Sequence, residues 1–363
     1  MIRWRKGTVE TIRREWPGAV ELAVSIDGDG AHRALAYPAL VGRPEPGDTV
    51  LLNTTALAMG LGTGGYAMVI AIPDRLPPDP SGPGHLVKAR YTPLQATVLG
   101  ADEQDSPHHE TLREADSLDG MPVIVADLHS ALPPILAGLL AARPGTRVAY
   151  VMPDGGALPA WFSMSIAQLK DAGALAATVT VGQAFGGDLE AVTVHTGLLA
   201  ARHVLDAEVV VLAQGPGNLG TGTRWGFSGV SAGEAINAAG VLGGRPIGSL
   251  RVSEGDKRER HLGVSHHSLT AYGRVALSPA EIVVPELGGE FGTRVAAQAA
   301  TLGERHTLVP VGVEGLEDVL RRYEKDWGVR MSTMGRRLDG DLAYFLTAAA
   351  AGRHCAAAAS SGV

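Results

Sequence analysis

The chain has 363 residues, 45 % of them hydrophobic and 19 % charged, and a formal net charge of -7. That balance can bury a sizeable core and excludes an intrinsically disordered chain; with no block of lysine and arginine, it gives no support to nucleic-acid binding. A single cysteine, Cys355, rules out an intramolecular disulfide framework and reads as a passive small side chain in an alanine-rich helix. The 48 glycines follow no fixed period, so a collagen-like fibre is excluded.

Residues 1–72 predict a small β-barrel, with strand-like runs at 7–12, 19–26, 34–37, 49–52 and 66–72 separated by Pro17-Gly18, Asp27-Gly28-Asp29-Gly30 and Pro46-Gly47-Asp48 turns. The segment 73–85 holds five prolines and reads as an extended linker, so the α/β domain is placed at 86–363. Within it, 102–119 is an acidic loop with a short helix around His108-His109. From Pro122 onward short apolar runs alternate with helical patterns. Strands are predicted at 123–126, 147–152, 176–181, 208–213, 246–252 and 307–311, and helices at 132–142, 163–172, 233–242, 291–300 and 313–323. The stretch 189–201 runs into a helix, 278–284 fits a helix start or a strand, and 334–347 with the tail reads as a surface-packed terminal helix. The pattern predicts an α/β fold, a mostly parallel, Rossmann-like three-layer sheet with flanking helices, preceded by the barrel.

In such sheets ligands bind beyond the carboxyl ends of the strands, so the polar segments there are the candidate sites. After 123–126 comes Asp127-Leu128-His129-Ser130. Asp127 and His129, two apart on extended backbone, could face one pocket; equally, Asp127 could cap the next helix. After 147–152 comes Pro153-Asp154-Gly155-Gly156-Ala157, a turn that sets Asp154 where a ligand would lie. After 176–181 comes a glycine-rich turn at 182–188, followed by His195, which reads as structural.

The strongest candidate follows 208–213. The loop 215–229 carries six glycines, with Gly215, Gly217, Asn218, Gly220, Thr221, Thr223 and Arg224 as ligand-binding candidates. Its backbone N–H groups and the helix after it suit an anion. No Gly-Lys-Ser/Thr ends it, so it is not a Walker loop. The Gly215-x-Gly217-x-x-Gly220 spacing matches a dinucleotide fingerprint, but the loop before the next helix is too long. Gly229-Val230-Ser231-Ala232-Gly233 matches a nucleophile elbow in letters, yet Ser231 fits better as a helix cap with Glu234 as its partner. Last comes a dense polar run, with Arg251, Asp256, Arg258, Arg260 and His261, that reads as a solvated face. It leads to His266-His267, of which one is expected to point inward. With His129, His195 or Asp127 that histidine could make a metal site or an acid–base pair. The chain has no His-Glu-x-x-His or Cys-x-x-Cys pattern, however, and no metal ligands or cofactor are assigned.

The barrel segment, the proline link, Asp127-Leu128-His129-Ser130, the 215–229 loop and His266-His267-Ser268 together resemble a bacterial family of unknown function, DUF3866, typical of actinobacteria. The resemblance implies a bacterial cytoplasmic protein and nothing about mechanism. The residues themselves point to an α/β domain that binds a small, anionic ligand; if it is an enzyme, hydrolysis or group transfer on that ligand is the expected class. His129, Asp127 and His267 are the catalytic candidates, with Asp154, His266 and Arg224 on the ligand. Two alternatives stand beside this: a non-catalytic assembly or regulatory protein whose barrel docks a partner, and a nucleotide-binding protein. No membrane span is expected, and homo-oligomerisation is left open.

Overall fold

A computed structural model describes residues 1–61, 64–155 and 158–359, in two compact units, Met1–Pro83 and Gly84–Val363. The first unit is a closed five-stranded barrel of β1 (Trp4–Trp16), β2 (Ala19–Ile26), β3 (Gly30–Ala36), β4 (Thr49–Asn53) and β5 (Ala67–Ala71). The order is β1-β2-β3-β5-β4, with β4 returning to β1 and β3 parallel to β5. Closure removes the free edges that a small open sheet would expose. The first strand is 13 residues long, far longer than the run at 7–12 suggests. Register shifts between Val9 and Thr11 and between Ile12 and Arg14 bend it, and it pairs with both β2 and β4. Val9, Val20, Leu22, Val24, Val50, Leu52, Ala67 and Val69 fill the interior. Glu21, on the opposite face of β2 from Val20 and Leu22, is buried beneath its partners: Arg14 Nε (2.8 Å) and Tyr66 Oη (3.1 Å) donate to its carboxylate.

The second unit opens on a hairpin of β6 (Leu86–Lys88) and β7 (Ala96–Val98). Its centre is an eight-stranded sheet of β8 (Pro122–Ala126), β9 (Val148–Met152), β10 (Ala177–Val181), β11 (Leu189–Ala191), β12 (Val209–Ala213), β13 (Arg245–Ser249), β16 (Glu281–Glu286) and β17 (Thr307–Gly312). Between β13 and β16 lies a small antiparallel pair, β14 (Val252–Ser253) and β15 (Gly263–Val264). The sheet order is β11-β10-β9-β12-β8-β13-β16-β17, and every pairing is parallel.

Alternation along the strands divides the core into two layers. Val123, Val125, Val210 and Leu212 face the layer of helices Val194–His203, Ser231–Val241 and Gly289–Ala299. Ile124, Ala126, Val209, Val211 and Ala213 face the layer of Leu132–Ala142, Met164–Asp171, Leu316–Asp326 and Leu342–Ala359. Strands buried on both faces read as unbroken apolar runs, which is why the sequence located them.

The structure corrects several local readings. The segment 278–284 resolves into strand β16, and 189–191 is an edge strand before its helix. The last helix is core, not surface: Ala348, Ala349, Ala350, Ala351 and Cys355 are buried. It lies so close to Leu132–Ala142 that a Cβ on Gly138 would stand 1.9 Å from the Ala349 carbonyl oxygen, and one on Gly352 would stand 2.0 Å from that of Ile135. Among the described residues no helix is long and apolar enough to cross a membrane.

The order of strands fixes where a site can form. From β8 the chain passes β12 to reach β9, by way of helix Leu132–Ala142 on one face. From β12 it crosses β8 to reach β13, by way of helix Ser231–Val241 on the other face. β8 and β12 are neighbours whose connections leave in opposite directions, so their carboxyl ends flank a topological switch point.

Candidate functional site

Three strand ends meet at this switch point. Asp127 follows β8, Gln214 follows β12, and Arg251 lies two residues beyond β13. Gln214 Nε2 donates to the Asp127 carbonyl (2.5 Å) and to Asn218 Oδ1 (2.9 Å). Arg251 is 3 % exposed, and its Nη1 lies 4.0 Å from Asp127 Oδ2 and donates to His267 Nδ1 at 3.3 Å. Nη2 stands 4.0 Å from Asp256 Oδ2, beyond hydrogen-bond reach. Asp256 is already engaged by Arg258 (2.7 Å) and Arg336 (3.4 Å). Below the cluster, Tyr272 Oη bonds the carbonyls of Val125 (2.9 Å) and Ser249 (3.1 Å), tying the ends of β8 and β13 together.

Burial raises the carboxyl of Asp127 above its ordinary range, against the pull of Arg251. Among the described residues, the buried polar atoms without a partner include Asp127 Oδ2, Arg251 Nη2, Ser249 Oγ and His266 Nε2. All four belong to this end of the sheet or to the segment packed on it. An orphaned buried polar atom costs about 1–3 kcal/mol, so four of them near these strand ends single the region out as the candidate site.

The polar run after β13 is divided. Glu254, Lys257, Arg258, Glu259 and Arg260 are exposed, as the sequence suggested, whereas Arg251, Asp256 and His261 are buried. The pair β14–β15 folds the run back, and Ser265 then caps a short helix, His266–Thr270, by accepting from the His267 N–H. A π-helical turn, Ala271–Val275, follows. One ring nitrogen from each of His261, His266 and His267 lies within 4.8 Å of the others. Burial, reinforced by the charge of Arg251, holds His261 and His267 down at about 3. Burial and the Arg260 charge also lower His266. All three rings are therefore neutral at physiological pH.

The 215–229 loop reaches this cluster through one residue. Phe227 stacks on His267 with ring centroids 3.7 Å apart and planes 2° from parallel. Asn218 accepts from Gln214 as well, and further polar contacts lie within the loop. Gly220 bridges to Phe227, Thr221 N donates to the Gly226 carbonyl, Thr223 Oγ1 accepts from Gly226 N, and Asn218 Oδ1 accepts from Ser228 Oγ. The threonines and Asn218 thus hold the loop's own shape. Gly217 has a φ of +95°, in the region that favours glycine, and a Cβ on Gly215 would stand 2.7 Å from Leu158. Arg224 is exposed and makes no ion pair among the described residues. The helix begins at Ser231 itself, whose Oγ donates to the Ser228 carbonyl; the expected cap is not formed, and the dinucleotide spacing lacks its strand–turn–helix setting.

Asp127 and His129 do not share a pocket. The backbone turns into a 3₁₀ helix at His129–Ala131, which ends the alternation of the strand, and Asp127 caps no helix. His129 is part-buried and turned toward the other layer, where Nδ1 meets Tyr150 Oη (3.1 Å) and Nε2 meets Ser163 Oγ (2.7 Å). Tyr150 Oη donates onward to the Ala213 carbonyl (2.7 Å), so His129 carries its proton on Nδ1 and accepts from Ser163. Burial lowers its pKa to about 4. Asp154 stands at the end of β9, where its Oδ2 accepts from Gln183 N (3.3 Å). It lines a separate cavity of about 400 Å³ with His85, Lys88, Arg90 and Gln183. Gly156 and Ala157 lie outside the described residues, and His195 is exposed.

The residues that sequence reasoning passed over are Arg251, Gln214 and His261. Arg251 was hidden inside the predicted strand at 246–252. Ending that strand at Ser249, as observed, would have exposed it to the strand-end rule. Fold and site together define a three-layer α/β protein with a buried polar cluster at its switch point and a five-stranded barrel before it. A family model described as "Protein of unknown function (DUF3866)" matches residues 33–352, and the chain belongs to that family. No curated protein and no solved structure matches the chain.

Proposed function

We propose that the α/β unit binds a small anionic ligand at the carboxyl ends of β8, β12 and β13 and acts on it as a hydrolase or group transferase. The observation that carries this reading is Arg251: a buried guanidinium whose Nη2 has no acceptor, set among other unpartnered polar atoms at the switch point. An anionic oxygen is the acceptor that a buried guanidinium favours most. Asp127, a carboxyl raised by burial, and His267, a neutral imidazole, both lie against Arg251 Nη1 and supply an acid–base pair. Phe227, stacked on His267, makes loop 215–229 the cover of the site in this reading. In this reading Arg251 takes the anion-holding role first expected of Arg224, and His129 is structural.

Isothermal titration of the full chain with inorganic phosphate tests it. We expect saturable binding that weakens roughly 10- to 100-fold in Arg251→Met, as for loss of a charge-assisted hydrogen bond, and that Arg224→Met leaves unchanged. Wild-type protein without saturable binding, or a folded Arg251→Met that binds like wild type, would sink it. The rival reading, a barrel that docks a partner, has one observation in its favour, the exposed apolar side chains of Ile2, Trp4, Met59 and Leu61.

A further inference from the structure

Three histidines stand beside Arg251; only His267 enters the proposed acid–base pair, and a metal held there would take that role from it and leave Asp127 as the acid or base. We propose that His261, His266 and His267 form a binding site for one divalent transition-metal ion of the zinc class, held by one ring nitrogen from each, beside Arg251 and Asp127.

Geometry supports this first. The ring centroids are 5.0 Å (His261–His266), 4.9 Å (His261–His267) and 4.4 Å (His266–His267) apart. Adjacent residues usually point apart, but His266 and His267 open a helix whose cap, Ser265, turns the chain back toward His261. Three imidazoles are the protein ligand set of an open zinc site, whose fourth position goes to water or substrate. At Zn–N lengths of about 2.0–2.1 Å the nitrogens of a tetrahedral site stand roughly 3.4 Å apart. The present separations, up to 4.8 Å, would therefore tighten on binding.

The surroundings fit as well. His261 Nδ1 lies 2.8 Å from Ser265 Oγ. With the proton on Nδ1 and the serine accepting it, Nε2 keeps its lone pair for a metal, as the outer partners of metal-binding histidines arrange it. His266 Nε2 is buried and has no partner among the described residues. The flat face of Phe227 against His267 shields one side from water. Against the site stands the charge of Arg251, whose Nη1 is 3.3 Å from His267 Nδ1. A cation placed here is therefore favoured by an anion bound alongside, and the coupling must be reciprocal: phosphate should tighten metal binding, and metal should tighten phosphate binding.

The test uses untagged full-length protein stripped with chelator and titrated with Zn²⁺ by calorimetry and with Co²⁺ by visible absorption. We expect one equivalent of either ion and the intense d–d bands of four-coordinate Co²⁺. His266→Ala should weaken Zn²⁺ binding by at least about 10-fold and abolish the bands. His266 is only partly buried, and His266→Gln serves as a second, less disruptive variant, each checked for a wild-type melt. Absence of stoichiometric binding by wild-type protein overturns the proposal. Binding that both folded variants retain unchanged overturns it too, since the metal then sits elsewhere. The inference adds to the anion site without resting on it. Arg251→Met should lose phosphate and keep the metal, whereas His266→Ala, tested without metal, should keep phosphate.

Discussion

His129 commits both ring nitrogens to protein partners, while Arg251 leaves Nη2 without one, although both follow sheet strands by only a few residues. That difference in partners separates a fastening from a binding group. His129 links Ser163, Tyr150 and, through Tyr150, the end of β12. We expect His129→Leu to cost about 2–3 kcal/mol, because it strands two buried hydroxyls, measured by urea unfolding at neutral pH. The pH dependence has a definite sign. The unfolded imidazole takes up a proton near 6.5, but in the fold burial holds the group down at about 4. The unfolded state thus binds more protons between these values, and stability falls as pH drops from about 6.5 through about 4. His129→Leu removes this contribution, so the gap between wild type and variant should narrow over that window; a gap independent of pH would contradict the assignment. At this scale Asp127, His266 and His267 were legible as strand-end and paired polar groups. The partners of His129 were not, because Tyr150 and Ser163 sit in other elements.

Elements were legible wherever burial is two-sided, as at β8, β9, β10 and β12. They were misread where packing overrides local pattern. The alanine-rich tail gives no periodicity that distinguishes a surface helix from a core one. Its place is set by small residues that let two backbones touch, at Gly138 and Gly352. We expect Gly138→Val to destabilise the protein by about 2–3 kcal/mol, because its Cβ would meet a backbone carbonyl that no rotamer change can move aside. A urea midpoint equal to wild type would show that these helices do not pack so closely. Boundaries had functional consequences too. A strand carried to 252 placed Arg251 in the sheet, and the burial of Asp256 and His261 within an otherwise exposed run was hidden because the fold-back on β14–β15 depends on two two-residue strands. The 215–229 loop was located correctly, but the sequence could not tell that its threonines bond within the loop and that Phe227 makes its contact with the histidines.

At the scale of the molecule, an alternating pattern of strands and helices implies a parallel sheet but not its order. The order matters most, since insertion of β12 between β9 and β8 creates the switch point and brings Asp127, Gln214 and Arg251 together. It also separates Asp154, at the end of β9, from that cluster and assigns it to the cavity by His85 and Arg90. The central claim is that Arg251 holds an anion at the switch point. Crystals of the full chain grown with selenate test it most directly, because anomalous scattering locates the bound oxyanion without assumptions. The account expects selenate within hydrogen-bond distance of Arg251 Nη2, with Phe227 and its loop displaced or closed over it. Selenate found only beside Lys88 and Arg90, or an Arg251 whose Nη2 bonds protein acceptors with no anion near it, would contradict the account.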